Sequence, residues 1–216
     1  MTDSLTTIIS KVQASLGDNG TYFTSATITA ACRLALKDFN SVCPVNAGTL
    51  VDVVADQKEY VLDGSDYANL IAVLDVLKDD ADGDDHESLT YDDYFEDNVP
   101  VIRLRTAEDS GSLIVRYTQP NTVNGLDSSV ESTLPAWLDP VLLDGVCYYS
   151  LAVRAAARVE PFNLNAAVAK QYDDLQATYK LAFDLGLAQV GLRRSPVGQP
   201  DTRAWNDQYH DQNVWG

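Results

Sequence analysis

An α+β fold is predicted: an antiparallel helix bundle of two N-terminal and two longer C-terminal helices, an inserted small antiparallel β module, and an extended C-terminal arm. Three observations point to it. Apolar residues recur at helical spacing near both ends of the chain. The middle switches to short β-branched runs separated by turn residues. The last 27 residues, Val190–Gly216, sustain neither period. The limits that follow are a helix pair over 1–45, a β module over 46–134 with an acidic loop at 78–97, a helical hairpin over 135–189 and a tail over 190–216.

In the first helix Leu5, Ile8, Ile9, Val12 and Leu16 share a stripe, and Gly17 with Gly20 ends it. Thr24 or Ser25 caps a second helix that carries Ile28, Cys32, Ala35 and Phe39, and Pro44 stops it because the residue before a proline avoids helical geometry. Strands are expected over Thr49–Ala55, Glu59–Leu62 and Leu70–Leu77, with turns at Asp56-Gln57 and Asp63–Asp66. Val101–Arg105 and Ser112–Gln119, joined through Glu108–Gly111, read as a hairpin, for a module of about four or five strands. After Pro135, Asp139 is the expected N-cap, with Pro140 at the first helical position. Val141, Leu142, Val146, Tyr149, Val153 and Ala157 form that helix's apolar face, and Pro161 ends it. Asn163 or Asn165 then caps a partner helix carrying Val168, Tyr172, Leu175, Tyr179, Ala182 and Phe183. The short link pairs the two as antiparallel neighbours.

Composition bounds the function. At 216 residues, 45% hydrophobic and 22% charged, the chain is that of a folded protein with a real core. No apolar run approaches the ~20 residues of a membrane span, and Met1–Gln13 lacks the basic and apolar regions of a signal peptide. Cys32, Cys43 and Cys147 have no metal-ligand spacing and read as buried free thiols of a reducing compartment. The net charge of −17 opposes the wrapping of DNA, which needs Lys and Arg; it fits a surface that only keeps the chain soluble, the reading charge alone favours, or a wall past which a duplex slides.

The densest local signal is acidic: eleven carboxylates lie between Asp75 and Asp97 against Lys78 alone. A calcium loop is excluded by register, because with Gly83 at the sixth place the first ligand would be Lys78 and the twelfth Leu89. A solvated loop is the expectation, with Tyr91, Tyr94 and Phe95 pinning its end to the sheet. No catalytic constellation is expected: His86 and His210 lie outside any patterned segment, and no zinc spacing, P-loop or dinucleotide motif is present. No cofactor or metal is expected either. Arg154 and Arg158, four apart and off the main apolar stripe, are either local salt-bridge formers or contacts to an acidic neighbouring subunit.

The tail concentrates costly residues where an ordinary terminus is small and polar. Trp205, Tyr209 and Trp215 sit among polar residues, and Arg193, Arg194 and Arg203 balance Asp201, Asp207 and Asp211, so the whole −17 belongs to residues 1–189. A buried tryptophan removes ~150–250 Å² from water, worth up to ~4–6 kcal/mol before ordering costs. Extended, the tail reaches ~85–90 Å, against a body radius of gyration near ~16 Å. It is expected to dock on another surface, through Trp205, Tyr209 and Trp215 as anchors and Arg193, Arg194 and Arg203 as polar contacts. The alternative is a tail folded back on its own helices.

The order of these segments resembles that of tailed-bacteriophage head-to-tail connector adaptors, the head completion proteins that attach beneath the portal. The resemblance spans the helix pair ending near Pro44, "VDVVADQKEYVL", "LIVRYTQP" and "LPAWLDPVLLDGVCYYSLAVRAAARVE" with its partner helix. It implies a non-enzymatic virion protein at the head–tail interface, assembled in the host cytoplasm. It further implies a ring of about twelve copies with head-to-tail contacts, a DNA channel without sequence-specific binding, the arm on the portal protein, and the β module toward a downstream tail or stopper protein. Two other roles fit the residues. One is a stopper or tail-completion protein using the same ring logic, and the other is an acidic intracellular regulator or nucleic-acid mimic that binds a basic partner.

Overall fold

Helix formation starts at Ser4, a cap the sequence reading did not name. The Ser4 hydroxyl accepts from the Thr7 N–H at 3.3 Å, and α1 runs Leu5–Ser15. The computed structural model describes residues 3–63, 67, 69–79, 87–97, 99–157 and 166–194. α1 closes in a Schellman arrangement: the Gly17 N–H donates to Ala14 and the Asp18 N–H to Gln13, with Gly17 at φ +65°. Asp18 then folds the link, accepting from the Phe23 N–H at 2.7 Å. Those backbone donors hold its carboxyl below its ordinary range, against the opposing effect of burial. Thr24 caps α2 (Ser25–Val42), which stops short of Pro44.

Among the described residues the fold is mixed α+β, with four α-helices and antiparallel sheets. It divides into a helical unit, built from the chain up to Pro44 and from Asn121 to the end of α4 (Ala166–Arg194), and a β unit over Val45–Pro120. In the helical unit the chain's exit and re-entry are tied together. Buried Asn121 donates its side-chain N–H to the Cys43 carbonyl at 2.6 Å and to Asn40 Oδ1 at 2.8 Å.

The third helix begins earlier than its sequence cap. A 3₁₀ turn, Ala136–Leu138, leads directly into α3 (Asp139–Ala157), and Asp139 is already helical at φ −51°, ψ −42°. Asp139 is therefore not the N-cap, and the extended residue is Pro135, before the 3₁₀ turn. The cause is local: the 3₁₀ turn buries Leu138 in the core and carries the chain into helix before Asp139 is reached.

α3 packs on both α2 and α4, whereas α2 and α4 scarcely meet. Ile8 and Val12 of α1, Ile28, Cys32, Ala35 and Phe39 of α2, Leu142, Val146 and Leu151 of α3, and Phe183 and Val190 of α4 share one core. The α3–α4 approach is set by glycine. A Cβ on Gly145 would lie 2.6 Å from the Phe183 ring, and one on Gly186 would lie 2.6 Å from Val141. α4 also runs to Arg194, so the segment expected to be tail from Val190 is helical at its root, and Val190 is 1% exposed.

The β unit holds more strands than the sequence suggested. A four-stranded sheet has the order β1 (Val45–Asp52), β7 (Ser112–Gln119), β3 (Ala72–Asp79), β4 (Glu87–Ser88). A three-stranded sheet has the order β2 (Glu59–Val61), β6 (Val99–Leu104), β5 (Tyr91–Glu96). Every described pairing is antiparallel. The expected hairpin of Val101–Arg105 with Ser112–Gln119 does not form. β6 is central in one sheet, β7 is central in the other, and both edges of each are taken by other strands. Glu108–Gly111 is thus a connection between sheets, and Gly111, at φ +108°, accepts from the Val53 N–H. Leu113, Val115 and Tyr117 of β7 alternate into a core shared with Val76, Tyr60, Ile102 and Leu104. Part of the expected acidic loop is also strand, since β4 and β5 lie within 87–96, while 80–86 fall outside the described residues.

Candidate assembly surfaces

The residues singled out in the sequence are not gathered into one site. Arg154, on the last turn of α3, stacks within its own chain, its guanidinium 5.8 Å from the centroid of the exposed Tyr22 ring. It is thus engaged without a neighbouring subunit, whereas Arg158 lies outside the described residues. Arg193 and Arg194 fall in the final turn of α4 and not in an extended arm. Arg203, Trp205, Tyr209 and Trp215 lie outside the described residues, as do His86 and His210.

Among the described residues, no three His, Cys, Asp or Glu side chains come together as metal ligands. All three cysteines are buried, and none is in a disulfide. Burial pushes the Cys32 and Cys147 thiols up to about 12, so neither supplies a thiolate near neutral pH. A depression bordered by Lys170, Gln171, Asp174, Leu175 and Thr178 lies open along the first half of α4. No described helix is long and apolar enough to cross a membrane.

What the structure does present is exposed apolar surface. On α4 the inward residues Tyr172, Leu175, Tyr179, Phe183 and Leu187 pack into the core. On the opposite side Ala177, Leu181, Leu185 and Ala188 recur at intervals of three to four and are exposed, Leu181 at 62% and Leu185 at 55%. The sequence reading took only the inward face of this helix. The second stripe was present in "ATYKLAFDLGLA", but two apolar faces on one helix look alike until the core claims one of them. Lys180 pairs with Asp184 along this stripe at 2.5 Å and lies 5.9 Å from the Tyr148 ring centroid. That hydrogen bond holds the ammonium above its ordinary range. Beside it the Tyr149 hydroxyl donates to Asp38 of α2, and burial together with that carboxylate pushes the phenol up.

The β unit exposes a second surface. On one face of its three-stranded sheet, exposed Val61 and Tyr94 flank buried Val101 in register, beside the row Glu59, Arg103 and Asp92. Arg103 bridges Glu59 at 3.5 Å, and Arg105 bridges Asp92 at 3.5 Å. Of the three aromatics expected to pin the acidic segment, only Tyr91 packs on the core, while Tyr94 and Phe95 are exposed. Burial, with Asp75 and Asp93 nearby, pushes the Tyr91 phenol up to about 12. β5 ends its sheet, and its Asp92, Asp93 and Glu96 place charge along that edge, a common defence against unwanted pairing.

No protein-family model and no curated protein matches the sequence. Among solved structures, the chain is similar to one from a structure described as the neck of an empty GTA particle computed with C6 symmetry. The identity is 14%, the match covers 65% of this chain and 71% of that one, and the TM-score is 0.26.

Proposed function

We propose that the protein is a structural subunit of a tailed-phage neck, one copy in an adaptor ring that joins the portal to the tail around a DNA channel. The observation that carries this reading is the double-faced α4. One side is consumed by the core and the other leaves Leu181 and Leu185 in water, where a contiguous apolar stripe marks a contact with another chain. A ring uses such a surface on every copy, because each subunit presents one flank to the neighbour before and another to the neighbour after. The order of helix pair, β insert and helix pair, with its resemblance to head-to-tail adaptors, supplies the kind of ring. The charge of −17 suits a duct that repels phosphates. In this reading the tail beyond Arg194 docks on the portal through Trp205, Tyr209 and Trp215, with Arg203 as a polar contact, and the β unit meets the next tail component.

The test is capture of the full chain by the portal protein of the same virus, beside a truncation lacking residues 195–216. The cut falls there because Val190 belongs to the core and a deletion from that residue would damage the fold. The expected result is a folded truncation that no longer binds portal. Equal binding by both forms refutes arm docking. Absence of the chain from purified particles refutes the virion role and favours the acidic regulator.

A further inference from the structure

We infer that neighbouring copies join through α4 of one and α2 of the next; the inference rests on the proposed ring and names its interface. α3 packs on both α2 and α4, and the faces of those two helices turned away from the shared core are distinct surfaces of the helical unit. The flanks differ in chemistry. The α4 flank offers the exposed stripe of Ala177, Leu181, Leu185 and Ala188, with Asp173 and Asp174 exposed along its N-terminal half. The α2 flank, opposite Ile28, Cys32, Ala35 and Phe39, carries exposed Ala26, Leu34 and Lys37 around half-buried Ala30. Its alanines admit a second helix closely, and Leu34 extends the apolar surface that Leu181 and Leu185 need.

Leu34 and the alanines, with Lys37 beside them, favour this pairing over α4 meeting itself. On the α2 flank Arg33 and Lys37 are matched by Asp127 and Asp38, and Asp38 is turned to the Tyr149 hydroxyl. Arg33 already grips Asp127 with two nitrogens, at 2.9 and 2.5 Å, so Lys37 is the cation offered to Asp173 and Asp174 of the next copy. A contact of α4 with α4 would also stop at two copies, because an isologous interface uses up the only patch each copy brings. The α4-to-α2 contact is heterologous and leaves each copy with both flanks in use.

Cysteine pairs in the full chain read this directly, because the native thiols are buried. Leu34→Cys, Leu181→Cys and the double variant are treated with a short bis-maleimide, while native mass spectrometry follows the untreated chain. The expected result is a ladder of covalent multimers from the double variant, dimers when the two single variants are mixed, and none from either single variant alone. Lys37→Glu should lower the mixed-dimer yield about two- to five-fold at low salt, and Asp174→Lys on the Leu181→Cys partner should restore it. Dimers from Leu181→Cys alone overturn the inference in favour of α4 facing itself. Native multimers with no cross-linking overturn it while leaving the ring intact. Monomers throughout, with no cross-linking, overturn the ring reading as well. Protection of Cys at position 181 that disappears when residues 195–216 are removed overturns it in favour of the chain's own tail as occupant.

Discussion

Replacing Gly145 with alanine tests one of the two tight glycine contacts between α3 and α4. A Cβ there would sit 2.6, 2.8 and 2.9 Å from three atoms of the Phe183 ring. Ordinary carbon contacts are ~3.5–4.0 Å, so ring and helix must separate by about 1 Å. The ring is 1% exposed and enclosed by the core, and it meets the new methyl with ring atoms instead of a flexible tip. Overpacking of this kind costs ~1–3 kcal/mol. Alanine's better helix propensity returns ~1 kcal/mol, leaving a net loss of up to ~2 kcal/mol. At ~2–4 °C per kcal/mol for a chain of this size, the thermal midpoint of the 222 nm dichroism signal should fall by up to ~8 °C. Gly191→Ala is the control, because its Cβ would meet only Val42 Cγ1, at 3.3 Å, and its midpoint should hold or rise. Adding Phe183→Leu should cost less in the Gly145→Ala background than alone, with a coupling above ~0.5 kcal/mol. A Gly145→Ala midpoint above that of the parent refutes the close approach of α3 and α4.

Three further outcomes are expected. Burial holds the Asp144 carboxyl above its ordinary value of 3.8, so its contribution to stability is complete below that value and is lost as pH rises through the raised one; Asp144→Asn should therefore raise the midpoint at pH 7 and leave it unchanged near pH 3. The native thiols should resist alkylation for as long as the chain stays folded, with all three reacting in denaturant, because burial keeps Cys32 and Cys147 protonated and encloses Cys43; rapid native labelling would contradict the described core. Deleting residues 190–216 should lower the midpoint relative to deleting 195–216, because it removes Val190, whose burial is worth ~1.5–3 kcal/mol, and equal midpoints would count against Val190 as core.

Readability followed sequence distance. Thr24 capping α2, Gly17 ending α1 and the buried stripe of Ile28, Cys32, Ala35 and Phe39 depend on residues a few positions apart, and all were visible in the sequence. Asp139 failed as a cap because the residues before it had already entered a 3₁₀ turn. The acidic β5 failed because Asp92, Asp93 and Glu96 read as solvated loop, although an edge strand leaves room for such side chains. The pairing of β6 and β7 failed because adjacency in sequence is only a tendency, and each strand found both its partners elsewhere.

From the sequence alone came the α+β class, the helices at both ends with the Thr24 cap of α2, the acidic body and the odd tail. These follow from periodicity, local hydrogen bonds and summed charge, none of which needs a distant partner. The tertiary structure decided which of α4's two apolar faces enters the core, how the described strands divide between two sheets, and that Val190 lies within α4 and does not begin an arm. Each of those outcomes is a competition between residues far apart in the chain for the same buried space. Its result is written in the packing and not in any single segment.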